Sequence, residues 1–174
     1  MMVTMSVDPG VSGTGWALWA NDGTMSDFTR IVPPIECGVL NPKGYSFVHR
    51  AYNMSEQLSK LLDRHGVADV YCEFPEFFSG SERGHAATTD GSVFKLSAFI
   101  GCIMQLCFDR GILFHEVMVK DWKGQLPKEV IIKRIDAALP PHWWGLPEKI
   151  PHSHAWDAIG IGLYAKGFRF SSSS

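Results

Sequence analysis

The sequence predicts an α/β domain built on a mixed β-sheet. Two observations carry that expectation: a pair of short alternating runs joined by a glycine-rich turn, then helical and strand periodicities taking turns along the rest of the chain. A third narrows it, since no run of about 18 apolar residues marks a membrane span.

The elements follow in order. Val3-Thr4-Met5-Ser6-Val7 alternates as a half-buried strand does; Asp8 ends it and Pro9-Gly10 breaks it. A second run, Trp16 to Ala20, leads into the turn signal Asn21-Asp22-Gly23. Between them Gly13 and Gly15 flank Thr14. Asp8 is therefore expected at the tip of a central strand, facing bare backbone that a ligand can approach. A plain hairpin capped by an aspartate accounts for the same residues. Glu36 to Leu40 is a third short strand. From Ser46 the period becomes helical: Phe47, Ala51, Met54, Leu58, Leu61 and Leu62 recur at three- and four-residue steps until His65-Gly66.

Val67 to Cys72 is the next strand, ending at Glu73. Phe74 to Gly91 has no period and is long for a loop, a feature usual in functional segments. An apolar helix from Ser92 to Arg110 closes at Gly111, and Ile112 to Val117 is another strand. Pro127 opens a helix that Pro140-Pro141 stops, and a last helix runs from Ser153 to Lys166. The order is βββαβαβαα.

At 174 residues the chain is expected to form one domain over residues 1–170, with Ser171–Ser174 a disordered end. Its 45% hydrophobic and 20% charged content is ordinary for a globular protein. Met1-Met2-Val3-Thr4 lacks the basic start and apolar core of a signal peptide. Cys37, Cys72, Cys102 and Cys107 show no Cys-x-x-Cys spacing and lie in apolar runs, which points to buried thiols in a cytosol and away from disulfides or zinc. The net charge of −2 argues against nucleic-acid binding by bulk electrostatics and leaves room for a local basic face.

Three acids stand on three elements. Glu73 ends a strand immediately before a proline-containing loop, as Asp8 does. The last helix opens "HSHAWDAIGIG", which puts His154 and Asp157 three apart on one face. Each has an ordinary explanation: a surface carboxylate for Glu73, a helix-start histidine for His154, an acid complementing the helix dipole for Asp157. Their joint placement, at ends that a parallel strand pairing brings together, favours a shared role. Hard oxygen ligands of this kind suit Mg²⁺ or Mn²⁺.

The ordered set Asp-Pro-Gly-x-x-x-x-Gly, a glutamate ending the strand after the first helix, and a late helix opening His-x-x-Asp resembles the RuvC-type Holliday-junction resolvases of the RNase H-like superfamily. "VKDWKGQLPKEVIIKRI" is similar to the family's basic loop and helix, and "DAIGIGLYA" to its closing helix; the likeness spans Val3 to Ala165. It is nearest to the family's small virus-encoded branch. The resemblance implies an RNase H-like fold with a mixed sheet flanked by helices. It also implies a homodimer, cytoplasmic (host cytoplasm if virus-encoded), that cuts four-way DNA by paired nicks leaving 5′-phosphates and 3′-hydroxyls. Two Mg²⁺ or Mn²⁺ ions per site would be held by Asp8, Glu73, His154 and Asp157, with Asp8 bridging both. His154 stands where the family more often has an acid. Glu76 and His152 are the nearest alternatives to Glu73 and His154.

Branched DNA would meet Phe77 and Phe78, one or both wedged at the branch point, with Arg83, Lys120, Lys123 and Lys128 forming the basic face. Trp122 is expected to be a hydrophobic anchor of its loop, and Trp143-Trp144 to pack over the last helix. Two other readings share these motifs. One is a nuclease of the same fold acting on flaps, forks or RNA–DNA hybrids. The other is an actin-like kinase-type phosphate-binding domain, which needs a second lobe and phosphate loop that 174 residues do not supply.

Overall fold

A computed structural model describes residues 2–21, 32–75, 91–140, 143 and 153–170. The expected sites Phe77, Phe78 and Arg83, the alternatives Glu76 and His152, and the serine end lie outside the described residues. The strands are β1 (Met2–Asp8), β2 (Thr14–Asn21), β3 (Glu36–Leu40), β4 (Val67–Phe74) and β5 (Leu113–Met118). The helices are α1 (Phe47–His65), α2 (Ser92–Phe108), α3 (Val119–Trp122), α4 (Lys128–Ala138) and α5 (Ser153–Ala165). One short helix, α3, interrupts the expected order. Four residues are too few to show a period, so the sequence pattern passes over it.

The sheet runs β3-β2-β1-β4-β5. β1 and β2 form the antiparallel hairpin, from Met2 opposite Asn21 to Asp8 opposite Gly15. β4 lies parallel to β1, and β5 parallel to β4, so the sheet is mixed with β1 at its centre. Alternation along β1 then divides the residues between two faces. Val3, Met5 and Val7 join a core with Met54 and Leu58 of α1 and Phe99 and Ile103 of α2. Thr4, Ser6 and Asp8 turn the other way, where Trp19 Nε1 donates to Ser6 Oγ at 2.9 Å. That second face is closed by Trp122 of α3, Ile131 and Ile135 of α4, and Ala158, Ile159 and Ile161 of α5.

The helix ends are set locally. Ser46 accepts from the His49 backbone N–H at the start of α1, and Gly66, at φ 58°, takes the left-handed conformation at its end. Arg110 ties α2 to α1, donating to Asp63 at 2.7 Å and to Ser59 at 2.6 Å. Cys37, Cys72 and Cys107 are buried thiols outside any disulfide, whereas Cys102 is exposed. The expectation fails there because α2 carries apolar residues beyond the side that packs on the sheet and α1, and Cys102 falls on its exposed part. No described helix is long and apolar enough to cross a membrane.

Candidate active site

The parallel register pairs Ser6 with Tyr71 and Val7 with Cys72. The next residues, Asp8 at the end of β1 and Glu73 one residue before the end of β4 rather than at it, therefore lie beside each other on the α5 face. Asp8 is 6% exposed. Loss of hydration pushes both carboxyls above the ordinary carboxylate range; the charge of Asp157 raises Asp8 further, and the charges of Asp8 and Asp157 raise Glu73.

Three helices bring groups that answer this charge. His154, in the first turn of α5, places Nδ1 2.5 Å from Asp8 Oδ2. The contact raises the imidazole's affinity for a proton, against the opposing effect of its partial burial. Three residues on, Asp157 accepts from Lys128 Nζ, at the start of α4, at 3.1 Å. Trp122, ending α3, donates Nε1–H to Glu73 Oε2 at 2.8 Å, and Lys123 Nζ lies 3.5 Å from the same oxygen. All four candidate ligands thus face one region, and Asp157 and Lys123 both act electrostatically on Asp8 and Glu73.

The glycines of the first turn are placed for close helix packing. A Cβ on Gly10 would lie 3.3 Å from His154 Cε1 and strike the Gly13 carbonyl. One on Gly15 would collide with the His154 backbone carbonyl. The first turn of α5 packs against this bare backbone and delivers His154 to Asp8.

In donor type the set fits a hard divalent cation: three carboxylates and one imidazole, with Asp8 buried and Glu73 and Asp157 partly so. In spacing it is not a ready cage. Among the described residues no three such donors gather close enough to hold a metal, because Asp8, Glu73 and Asp157 each point at a local donor or cation.

Of the basic residues expected at the DNA, Lys123 and Lys128 adjoin the acids, while Lys120 is exposed on α3. Trp122 is buried, as an anchor should be, and its link to Glu73 was not foreseen. The available signal was a tryptophan in an otherwise basic and polar stretch: a buried indole N–H needs an acceptor.

Compared with known proteins, the chain is 23% identical over 131 residues to the crossover junction endodeoxyribonuclease RuvC of two strains of Nitratidesulfovibrio vulgaris, covering 75% of this chain and 67% of theirs. Its fold overlays on Thermus thermophilus RuvC, solved in complex with a Holliday junction substrate, with a TM-score of 0.69 at 19% identity, covering 95% of this chain and 96% of that one. The chain is RuvC-like in sequence and in fold. The fowlpox virus resolvase, solved with Holliday junction DNA, overlays at 0.62 and 14% identity, covering 95% of this chain and 97% of its own. The yeast mitochondrial Holliday junction resolvase Ydc2 overlays at 0.60 and 14%, covering 94% and 76%. No family model matches the chain. The RuvC-like fold is the RNase H-like mixed sheet that the sequence predicts.

Proposed function

We propose that this chain is a metal-dependent endodeoxyribonuclease that resolves four-way DNA junctions by paired nicks, with residues 1–170 acting as one nuclease domain. The observation that carries the reading is the meeting of Asp8 and Glu73 on adjacent parallel strands with His154 and Asp157 on the helix closing the same face. The RuvC and fowlpox relatives solved on junction DNA support the substrate.

Asp8, Glu73, His154 and Asp157 would hold two Mg²⁺ or Mn²⁺ ions. When bound, these ions neutralise charge building on the phosphodiester and acidify the attacking water. The chain's own residues do the rest. Asp8, fixed at the end of the central strand, is shared by both arms of the site. His154 must be neutral to act as a ligand, so its proton leaves on loading. Lys123 and Lys128, which pair with Glu73 and Asp157 at the edge of the site, would offer cations to the phosphates flanking the cut, and Lys120 would extend that basic edge. Phe77, Phe78 and Arg83 are proposed to meet the branch point.

Cutting two strands symmetrically needs two sites, hence a second copy. α2 supports this: Phe94 and Phe108 are 64% and 81% exposed, and Met104 and Cys102 share the uncovered side. An apolar helix side of this kind is expected to pack on its own twin. Phe108→Glu should shift the protein from dimer to monomer in sedimentation; an unchanged dimer would place the interface elsewhere.

The substrate is tested by cleavage of a mobile four-way junction, a Y-fork and an RNA–DNA hybrid under the same Mn²⁺ conditions. Preference for the junction, with paired symmetric nicks, is expected. Equal or better cutting of the fork or hybrid would assign the same site to the alternative nuclease reading.

A further inference from the structure

Trp122 has a role that the proposed chemistry does not by itself assign. Its ring is 2% exposed, so the indole N–H has lost its water, and an indole offers a donor and no acceptor. It spends that donor on Glu73 Oε2 at 2.8 Å. The remaining freedom of the ring is removed by its neighbours. Phe170 meets it edge-on with centroids 5.8 Å apart, and Lys123 Nζ sits 4.6 Å from its centroid. Gly160 of α5 supports it closely: a Cβ there would lie 2.5 Å from Trp122 Cζ3 and 3.2 Å from Cε3 and Cη2. That is closer than any real methyl tolerates, so the glycine lets the benzo ring seat against the helix backbone.

Gly160 lies three residues after Asp157 on the same helix. The helix that carries His154 and Asp157 thereby fixes the indole, and the indole fixes the carboxylate on β4. We propose that Trp122, seated on Gly160, is a positioning residue that sets the Glu73 carboxylate relative to the His154–Asp157 arm. A purely structural anchor needs the ring and not the N–H. A positioning residue needs both, because the indole N–H holds one oxygen of Glu73 and so limits the rotation of the carboxylate.

The inference rests on the proposed function for what Glu73 does, and its test separates the two. Trp122→Phe keeps an aromatic ring and removes the donor. Four quantities are measured on the full chain: the melting temperature, junction affinity without divalent metal, Mn²⁺ binding followed by electron paramagnetic resonance without DNA, and cleavage rate at saturating junction. Expected are melting within a few degrees of wild type and unchanged junction affinity, with Mn²⁺ affinity and cleavage rate each lowered about tenfold or more, as for other partners that orient a metal ligand. Gly160→Ala should weaken Mn²⁺ binding in the same direction by displacing the indole. The double variant should be no worse than Trp122→Phe, whose shorter ring stops short of the added methyl. If Trp122→Phe does not fold, Gly160→Ala decides alone.

A reading independent of catalysis is the indole N–H resonance of Trp122. It should be protected from exchange in wild type and should shift on Glu73→Gln. Wild-type Mn²⁺ binding and cleavage in Trp122→Phe, with lowered melting alone, would make the residue an anchor and overturn the proposal. A wild-type protein that cuts no junction while Trp122→Phe still weakens Mn²⁺ binding would overturn the proposed substrate and leave the positioning role standing.

Discussion

One side of the sheet packs on α1 and α2, the other on α3, α4 and α5, and the same strands feed both by alternation. On the first side Val3, Met5 and Val7 meet Met54, Leu58 and Phe99 in an all-apolar core. On the second, Ser6, Asp8 and Glu73 are matched by indole donors, lysines and a histidine, and the glycines of α5 allow tryptophans to seat against helix backbone. A Cβ on Gly162 would collide with Trp19, as one on Gly160 would with Trp122. The difference teaches how one fold separates stability from chemistry. One face is replaceable by anything of like volume, while the other depends on particular hydrogen bonds.

The sharpest way to break that contrast is a matched pair of substitutions. Leu58→Ala, in the first core, should lower stability by about 2–5 kcal/mol through lost burial and a cavity, and leave the cleavage rate of the remaining folded protein near wild type. Glu73→Gln should do the reverse, reducing cleavage to background while melting holds or rises, because a buried, repelled charge is removed. Equal effects of both changes on rate would erase the distinction between the faces.

The second effect is smaller and belongs to His154. An imidazole is a softer donor than a carboxylate and binds only when neutral, so activity should be higher with Mn²⁺ than with Mg²⁺ and fall in acid. Contact with Asp8 raises the histidine's pKa, so at subsaturating metal the acid limb should lie above its ordinary value near ~6.5. His154→Ala should be nearly inactive in Mg²⁺, and His154→Asp should keep activity, narrow the Mn²⁺ advantage and lower the acid limb. Rates across pH 5.5–9 in each metal check this; a fast His154→Ala would remove the imidazole from the site.

The third effect is on stability without metal. Asp8, Glu73 and His154 all hold protons more tightly in the folded chain than in the unfolded one. For groups with raised folded pKa values the stabilising contribution is present at low pH and is lost as pH rises through them. The loss begins near the ordinary carboxylate values for Asp8 and Glu73 and at ~6.5 for His154, so His154 sets the window above neutral: melting temperature in a chelator should fall between pH 6 and pH 8, and Mn²⁺ at pH 8 should restore it. A metal-free melting temperature that climbs over this range would contradict the raised proton affinity of His154.

How much of this was legible in the sequence varies by physical cause. Alternation from Val3 to Val7 and the Pro9-Gly10 break place Asp8 at a strand end, and the parallel partner follows from the run ending at Glu73. These are local patterns with a period, and the described strands match them to within two residues at each end. The Trp122–Glu73 bond joins residues 49 apart and leaves no periodic trace. The same is true of the Lys128–Asp157 pair and of α3, too short for a pattern. The turn glycines were legible as close-approach positions, and what approaches is the α5 backbone at His154. Cys102 was misplaced because an apolar helix states that it wants a partner, not which of its sides has found one.

The most direct test of the carboxylate face is Asp8→Asn, measured for cutting and for binding on one mobile four-way junction. Asp8 is central to both arms of the site, next to Glu73 in the sheet and 2.5 Å from His154. The variant should cut neither strand in Mn²⁺ while binding the junction as tightly as wild type or more so, since Lys120, Lys123 and Lys128 remain and one negative charge is gone. An Asp8→Asn protein that keeps most of its paired nicking would contradict the account, because cleavage would then take place somewhere other than the strand ends of β1 and β4.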